Sequence, residues 1–321
     1  MSRPSGGAPA LLGDSPAFGR VRTEAERIAV SRHPVMILGE PGTGKTALAA
    51  WLHARSGRPG AFIRLPVTNV AEELRHAELL GHSRGAFTGA VRDRPGAVEQ
   101  ADRGTLLLDE IGLASEGMQA ALLAVLDDTT VRRVGDATRR AVDVRFIAAT
   151  NEDLHARVAA GSFRRDLLGR FGFFWLRVPP LRERPEDIIP LFRSFVSGEL
   201  GVSPDAVAVS PELMEVLEAA TWPDNVRQVL NVARYVAVAG VGAPVLGVDH
   251  LPAAFMSLAG EQANALIEQA LRATGGNRTR AAELLGMSRA TFYRRVVRPG
   301  ASAKLSGAPV QPSHLEAGLS Q

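Results

Sequence analysis

The segment between residues 39 and 46 constrains this chain more than any other part of it. It reads Gly-Glu-Pro-Gly-Thr-Gly-Lys-Thr and fits the phosphate-loop pattern G-x-x-x-x-G-K-S/T. An apolar stretch over residues 34–39 predicts a buried strand leading into the loop, and helical periodicity begins at Lys45. Since strand, loop and helix stand in the order that phosphate binding requires, a chance glycine-rich turn is the weaker interpretation.

The residue types of this loop predict how it would hold ATP and Mg²⁺. Its glycines let backbone N–H groups turn toward the phosphates, while the Lys45 ammonium meets the β- and γ-phosphate oxygens. The Thr46 hydroxyl is a candidate ligand of Mg²⁺. The predicted nucleotide-contacting residues of the loop are Gly39, Glu40, Pro41, Gly42, Thr43, Gly44, Lys45 and Thr46.

Besides a phosphate loop, hydrolysis needs a carboxylate that holds the metal ion and a general base, and an acidic pair can supply both. Residues 105–108 form an apolar stretch that predicts a second strand, and Asp109 and Glu110 follow it directly. Asp109 can hold Mg²⁺ through water, and Glu110 can act as a general base on the attacking water. The alternative is that the pair only caps the helix that follows.

The order of the apolar stretches predicts an α/β protein with a separate helical unit. Residues 144–149 repeat the pattern of a strand that ends in polar residues, here Thr150 and Asn151. Polar strand ends with helices between them indicate a parallel α/β sheet. Beyond Pro180 the strand pattern stops. Helical periodicity then covers residues 185–200, 211–220 and 225–239.

Composition narrows the class of protein further. The chain has 321 residues, no cysteine, and no run of about 18 apolar residues, so a disulfide framework, thiolate chemistry and a membrane-spanning helix are excluded. These features suit a cytoplasmic protein. The net charge of +3 is too small to indicate nucleic-acid binding by itself, so the distribution of charge matters more.

The basic charge is concentrated near the carboxyl end of the chain. Residues 261–298 contain seven arginines against three glutamates. Helices are predicted over residues 266–273, 279–285 and 289–296, with a tight turn at Gly286-Met287-Ser288, which is helix-turn-helix geometry. The candidate cap and DNA contacts of the last helix are Ser288, Arg289, Ala290, Thr291, Arg294 and Arg295. The alternative is a basic helical hairpin that mediates dimerisation.

Several motifs outside the phosphate loop are similar to those of one known family. They are Leu12-Gly13-Asp14-Ser15, Glu78-Leu79-Leu80-Gly81-His82, Gly85-Ala86-Phe87-Thr88-Gly89-Ala90, Leu108-Asp109-Glu110-Ile111-Gly112, Ala149-Thr150-Asn151, Phe163-Arg164-Arg165-Asp166-Leu167-Leu168, Pro179-Pro180-Leu181-Arg182-Glu183-Arg184 and Trp222-Pro223-Asp224-Asn225-Val226-Arg227. With them, the chain resembles the bacterial sigma-54-dependent activators, AAA+ ATPases that remodel a stalled sigma-54 RNA polymerase. The resemblance covers roughly residues 11–297. Within this range, the helix-turn-helix region near the carboxyl end resembles a Fis-type DNA-binding domain.

The most specific of these motifs is the partner loop, which consists of Gly85, Ala86, Phe87, Thr88, Gly89 and Ala90. Without its context, a turn with the Phe87 ring tucked into the core would be the favoured interpretation. Glycines at both ends also suit a mobile loop with an apolar and a hydroxyl contact at its tip. The resemblance implies that this loop rises from a hexamer and engages sigma-54.

The resemblance also implies roles for several polar residues. From spacing alone, the arginines near residue 165 would be interpreted as a solvent-exposed helix face, and the polar pair after residue 149 as a helix cap. Arg164 and Arg170 match the two arginine-finger positions, which act across a subunit interface. Thr150 and Asn151 match the first sensor, and Arg227 matches the second. Each of these is expected to contact or report the nucleotide.

The chain departs from the family pattern at three places. An ungapped alignment puts Pro66 where the family has an asparagine that holds the catalytic glutamate, and Asn69 lies three residues later as a possible substitute. Thr46 replaces an acidic residue and restores the general phosphate-loop hydroxyl. Gln228 replaces a glutamate, with no effect that the sequence predicts.

Together these observations predict an AAA+ parallel α/β sheet flanked by helices, an all-α lid and a helix-turn-helix. The expected bounds are 1–10 for a flexible tail, 11–178 for the ATPase subdomain, 179–240 for the lid, 241–260 for a linker, 261–298 for the Fis-type domain and 299–321 for a second tail. The expected activity is ATP-driven remodelling of sigma-54 RNA polymerase holoenzyme from upstream, enhancer-like DNA sites. The alternative is a DNA-bound repressor or nucleotide switch with a weak or uncoupled ATPase.

The resemblance further implies self-association from dimer to hexamer ring. With no room for a control domain before Leu11, the sequence predicts regulation by a separate protein or by abundance. The expected location is the cytoplasm, in association with the nucleoid.

Overall fold

A computed structural model of the protein describes residues 11–67 and 72–284. They belong to two compact units, which divide between Pro252 and Ala253.

The first unit begins with an α/β subdomain. Its elements are α1 (Pro16–Ala29), β1 (Val35–Leu38), α2 (Lys45–Arg55), β2 (Phe62–Pro66), α3 (Glu72–Leu80), β3 (Gly81–His82), β4 (Arg94–Pro95), α4 (Ala97–Gln100), β5 (Thr105–Asp109), α5 (Glu116–Asp128), β6 (Thr130–Val131), β7 (Arg140–Ala141), β8 (Arg145–Thr150), α6 (Leu154–Ala159), α7 (Arg165–Arg170) and β9 (Trp175–Arg177).

Five strands form one parallel sheet in the order β2-β5-β8-β1-β9. The inner strands β5 and β8 are buried along their whole length, as expected for a parallel sheet covered on both faces. Because successive side chains of a strand point to opposite faces, Leu106 and Leu108 join one apolar core while Leu107 joins the other. The predicted parallel α/β architecture is confirmed.

Two strands of the sheet, β2 and β9, were missed by the sequence prediction. Both lie at edges of the sheet. In β2 the apolar pattern is interrupted by Arg64 and Pro66, and proline is tolerated there because it ends an edge strand. In β9 only three residues pair, too few for a periodic signal.

The helical subdomain of the first unit consists of α8 (Ile188–Leu200), α9 (Pro211–Ala219) and α10 (Asn225–Ala239). The helix predicted from residue 185 begins with a 3₁₀ turn over Pro185–Asp187. Helix α8 packs against α10, and both contribute buried apolar side chains. No helix in the described part of the chain is long and apolar enough to cross a membrane.

The described part of the second unit contains α11 (Ala253–Ala273) and α12 (Arg278–Leu284). Helix α11 starts within the stretch 241–260 that composition predicted as a linker. It begins with Ala253 and Ala254, and alanine favours a helix. Ile267 and Ala270 pack against Ala281 and Ala282 of α12. The predicted third helix, with its candidate DNA contacts from Ser288 to Arg295, lies outside the described residues.

Candidate active site

The phosphate loop lies between the end of β1 and the start of α2, where the sequence placed it. Gly42 and Gly44 have φ angles of 76° and 107°, a conformation that glycine adopts without steric strain. A β-carbon on Gly42 would lie 2.1 Å from the Asp224 carbonyl oxygen, so this position also lacks room for a side chain. The Lys45 side chain is buried, and its ammonium donates to the Gly39 carbonyl at 2.8 Å and the Glu40 carbonyl at 3.3 Å.

The acidic pair follows β5, at the same edge of the sheet as the phosphate loop. Glu110 has a left-handed backbone (φ 60°), which turns its side chain away from the strand direction. One carboxylate oxygen of Glu110 lies 3.5 Å from the Lys45 ammonium, and the other is buried without a hydrogen-bond partner in the described part of the chain. Asp109 is nearly buried and pairs with Arg64 at 2.6 Å.

A cavity of about 440 Å³ brings four residues of the phosphate loop together with the acidic pair and Arg227. It is lined by Gly42, Gly44, Lys45, Thr46, Ala47, Arg64, Pro66, Asp109, Glu110, Val226, Arg227 and Leu230. The lining comes from the phosphate loop, the start of α2, β2, the end of β5 with the following Glu110, and α10. The volume falls in the ordinary range for cofactor pockets. Thr46 and Asp109 supply the hydroxyl and carboxylate oxygens that Mg²⁺ prefers, so the donor set fits this ion.

Pro66, which the alignment put at the asparagine position of the family, lies beside the acidic pair. It is opposite Asp109 in the β2–β5 register and lines the same cavity as Glu110. Its ring carries no hydrogen-bond donor. Asn69, the other residue considered for this role, lies outside the described residues.

The helical subdomain holds the phosphate loop through contacts to which sequence reasoning gave no role. The Asn225 amide donates to the Pro41 carbonyl at 3.0 Å. Arg182 forms two hydrogen bonds with the Glu40 carboxylate at 2.6 and 2.7 Å, and they hold the pKa of Glu40 below its usual value. Buried Arg184 donates to the Thr43 carbonyl at 2.8 Å. Arg182, Arg184 and Asn225 all lie in the family motifs at residues 179–184 and 222–227, so these motifs were the sequence signal that could have indicated the contacts.

The two first-sensor residues do not line the cavity that contains Lys45. Thr150 is buried at the end of β8, and its hydroxyl accepts a hydrogen bond from the Glu152 N–H at 3.0 Å. Asn151 lines a neighbouring cavity of about 480 Å³ together with Gly39 and Glu40. Thr150 therefore makes a local hydrogen bond two residues along the chain, whereas Asp153 caps α6. The nucleotide role of Thr150 and Asn151 remains a prediction.

The two predicted arginine fingers also lie away from the Lys45 cavity. Arg164 pairs with Asp166 at 2.7 Å, and this hydrogen-bonded carboxylate raises the pKa of Arg164. Arg170 pairs with Asp127 at 2.7 Å. Both arginine side chains are partly exposed, at 41% and 54%. Each can therefore be reached from outside the subunit, which action on a neighbouring copy would require.

The partner loop spans the turn between β3 and β4. Its ends are joined by a hydrogen bond from the Gly85 N–H to the Ala90 carbonyl at 2.8 Å. The Phe87 ring is half-buried and contacts the edge of the His82 ring at a centroid distance of 4.9 Å, while Thr88 is exposed. Phe87 belongs to neither apolar core of the sheet, so the interpretation as a tucked-in core residue does not hold.

Comparison with protein families divides the chain into three matched segments. The sigma-54 interaction domain matches residues 11–177, the AAA+ ATPase lid domain residues 182–267, and the Fis family of bacterial regulatory proteins residues 264–297. The last match covers the residues that carry the predicted helix-turn-helix.

Individual proteins show the same relationship. The transcriptional regulatory protein ZraR of Klebsiella oxytoca is 39% identical over 306 residues, which is 90% of this chain and 68% of ZraR. The DNA-binding transcriptional regulator NtrC of Klebsiella pneumoniae is 39% identical over 326 residues, with 89% and 69% covered. The crystal structure of NtrX from Brucella abortus in complex with ADP has a TM-score of 0.71 at 31% identity, over 90% of this chain and 69% of NtrX.

The parallel sheet, the phosphate loop and the acidic pair define an AAA+ ATPase. The chain belongs to the sigma-54 interaction domain family, and it is an ATP-hydrolysing, DNA-binding transcription activator of the sigma-54-dependent type. A repressor or nucleotide switch with an uncoupled ATPase is not favoured, because the matched sigma-54 interaction domain spans most of the α/β subdomain.

Proposed function

We propose that the protein hydrolyses ATP with Mg²⁺ in the cavity between the phosphate loop, β5 and α10, and that it does so within a ring of its own copies. The observation that carries this proposal is the convergence of Lys45, Thr46, Asp109, Glu110 and Arg227 from separate elements on one cavity. This is the set of groups that phosphoryl transfer to water requires, namely cations, metal ligands and a base.

Each side chain of the cavity would have a different role in ATP hydrolysis, according to its chemistry. Thr46 and Asp109 would hold Mg²⁺, which when bound offsets the charge of the β- and γ-phosphate oxygens. Lys45 would leave the loop carbonyls for the phosphates, and this movement releases the Glu110 oxygen now 3.5 Å from it. The second Glu110 oxygen has no hydrogen-bond donor among the described residues, so it would accept the proton of an attacking water that reaches it.

Residues outside the cavity would complete the site. Arg164 and Arg170 would exchange their own carboxylate partners for the nucleotide of a neighbouring copy, where a planar guanidinium stabilises developing phosphoryl charge. Thr150 and Asn151 would orient the attacking water or the γ-phosphate from the end of β8. This arrangement requires assembly, and the expected ring is a hexamer.

The partner loop and the Fis-type end would connect hydrolysis to transcription. Movement of the loop would press Phe87 and Thr88 against sigma-54 in the closed complex of RNA polymerase and allow promoter opening. The Fis-type end would bind upstream DNA sites as a dimer, which places the protein at the nucleoid. Either a separate regulatory protein or the abundance of the activator would control the activity.

The ATPase assignment is tested by replacing Lys45. Lys45→Ala removes the cation that meets the phosphates, so turnover of ATP should fall to background in a phosphate-release assay. Arg94→Ala, which breaks an ion pair with Glu78 outside the cavity, serves as the control and should leave turnover unchanged. Retained turnover in Lys45→Ala would contradict the assignment.

The role of the partner loop is tested by Phe87→Ala with purified sigma-54 holoenzyme. We expect ATP turnover to persist while open-complex formation is lost, because the change removes an apolar contact outside the cavity. Val91→Ala, at an exposed residue just beyond the loop, is the control and should open promoters normally. Unaltered promoter opening by Phe87→Ala would exclude the proposed contact.

A further inference from the structure

Among the described residues that line the cavity, Lys45, Arg64 and Arg227 are cationic, and the proposed reaction gives no role to Arg64. It lies on β2 two residues before Pro66, so both side chains point to the same face of the sheet. Its Nε and Nη2 atoms both donate to one oxygen of Asp109, at 2.9 and 2.6 Å. The carboxylate is nearly buried, at 8% exposed, whereas the arginine side chain is 53% exposed.

This ion pair competes with the proposed magnesium ligand. A guanidinium at hydrogen-bond distance repels a divalent cation that approaches the same carboxylate, and the repulsion is weakly screened where the carboxylate is buried. Arg64 itself is not fixed by burial, because half of its side chain is in solvent and it lines the cavity. It can therefore leave Asp109 at the cost of the two hydrogen bonds.

We propose that Arg64 is a positioning residue that holds the Asp109 carboxylate until nucleotide and Mg²⁺ enter together, and that it leaves this carboxylate when they bind. The inference rests on the proposed function of the cavity. It assigns to Arg64 a restraint on Asp109, the residue that precedes Glu110 in the acidic pair.

Removing the Arg64 charge changes nucleotide affinity in opposite directions with and without Mg²⁺. With Mg²⁺, the ion no longer competes with the guanidinium for Asp109, so binding becomes tighter. Without Mg²⁺, the carboxylate is left unpaired near the nucleotide phosphates, so binding becomes weaker. Both changes raise the ratio of the dissociation constant without Mg²⁺ to that with Mg²⁺.

The experiment is a titration of the full chain with a fluorescent ADP analogue, in saturating Mg²⁺ or in EDTA. Arg64→Met should raise this ratio by about five- to tenfold, the effect of one charge-assisted pair that is partly solvated. Arg94→Met removes a similarly exposed arginine from an ion pair outside the cavity, so its ratio should equal that of the wild type. If Arg64→Met does not fold, Arg64→Gln carries the same prediction, because it removes the charge but keeps a donor.

A second step separates action through Asp109 from a general effect of charge. In an Asp109→Asn background, Arg64→Met should produce no further rise in the ratio, since the competing carboxylate is gone. An unchanged ratio in the single variants, or an equal rise in the Asp109→Asn background, overturns the inference while leaving the ATPase proposal in place. Absence of nucleotide binding by the wild type under both conditions overturns the proposed function and the inference with it.

Discussion

Replacing Asn225 by alanine should loosen the attachment of the phosphate loop to the helical subdomain. Asn225 is 1% exposed, and its amide oxygen accepts from the Leu181 N–H at 2.7 Å while its nitrogen donates to the Pro41 carbonyl at 3.0 Å. It also has a left-handed backbone with φ 52°. Asn225, at the start of α10, thus connects the segment before α8, through Leu181, to the loop that would hold phosphate, through Pro41.

The expected loss of unfolding free energy is about 3 kcal/mol, with about 1 kcal/mol from each of the two short hydrogen bonds and about 1 kcal/mol from the left-handed backbone. The 3.3 Å contact from Asn225 to the Glu40 carboxylate is left out of this sum because that carboxylate is partly exposed. Asparagine tolerates the left-handed region better than alanine does, since its short polar side chain bonds locally.

Urea unfolding followed by tryptophan fluorescence measures this loss, since Trp222 is buried three residues before Asn225 and its indole donates to the Leu217 carbonyl at 2.8 Å. Asn225→Gly is the matched variant, because glycine removes the same hydrogen bonds without the backbone strain. It should be more stable than Asn225→Ala by about 1 kcal/mol. A loss below about 1 kcal/mol in Asn225→Ala would refute the assignment of two buried hydrogen bonds to this residue.

Three further predictions concern the reaction and its dependence on pH. Pro66→Asn places an amide beside Glu110, so basal ATP turnover or its response to sigma-54 should change, and identical values for both would make Pro66 a neutral substitution. Arg170→Ala should lower turnover by about 10³-fold and leave the affinity for an ADP analogue unchanged, whereas a parallel loss of affinity would contradict action across an interface. The Arg182 guanidinium holds the pKa of Glu40 below its usual 4.5, so the ion pair stabilises the folded protein above that pH and is lost as the pH falls through the lowered value. The difference in melting temperature between the wild type and Arg182→Met should therefore shrink on acidification, and a constant difference would count against the pair.

The sequence predicted the chemistry of the site where a motif combines residue types with fixed spacing. The phosphate loop and the acidic pair are of this kind, because each depends on a few consecutive residues at the end of an apolar strand. Their placement at one edge of a parallel sheet follows from the shared direction of β1 and β5. The core strands were predicted for the same reason, since continuous apolar runs are typical of strands covered on both faces.

The contacts that join distant segments could not be predicted in this way. Arg64 and Asp109 are far apart in sequence, and only the β2–β5 register places one guanidinium within 2.6 Å of that carboxylate. The edge strand β2 was itself missed because a polar residue and a proline interrupt its pattern.

The sequence by itself determined what this protein can do. Its motifs predicted that Lys45, Thr46, Asp109 and Glu110 carry the groups for ATP hydrolysis, and that the loop at Phe87 contacts the partner. The tertiary structure decided which partners these groups have: the Lys45 ammonium donates to the Gly39 carbonyl at 2.8 Å, and Asp109 pairs with Arg64 at 2.6 Å. The reason is physical: side-chain chemistry is a property of single residues, whereas an ion pair depends on distances that only chain folding sets.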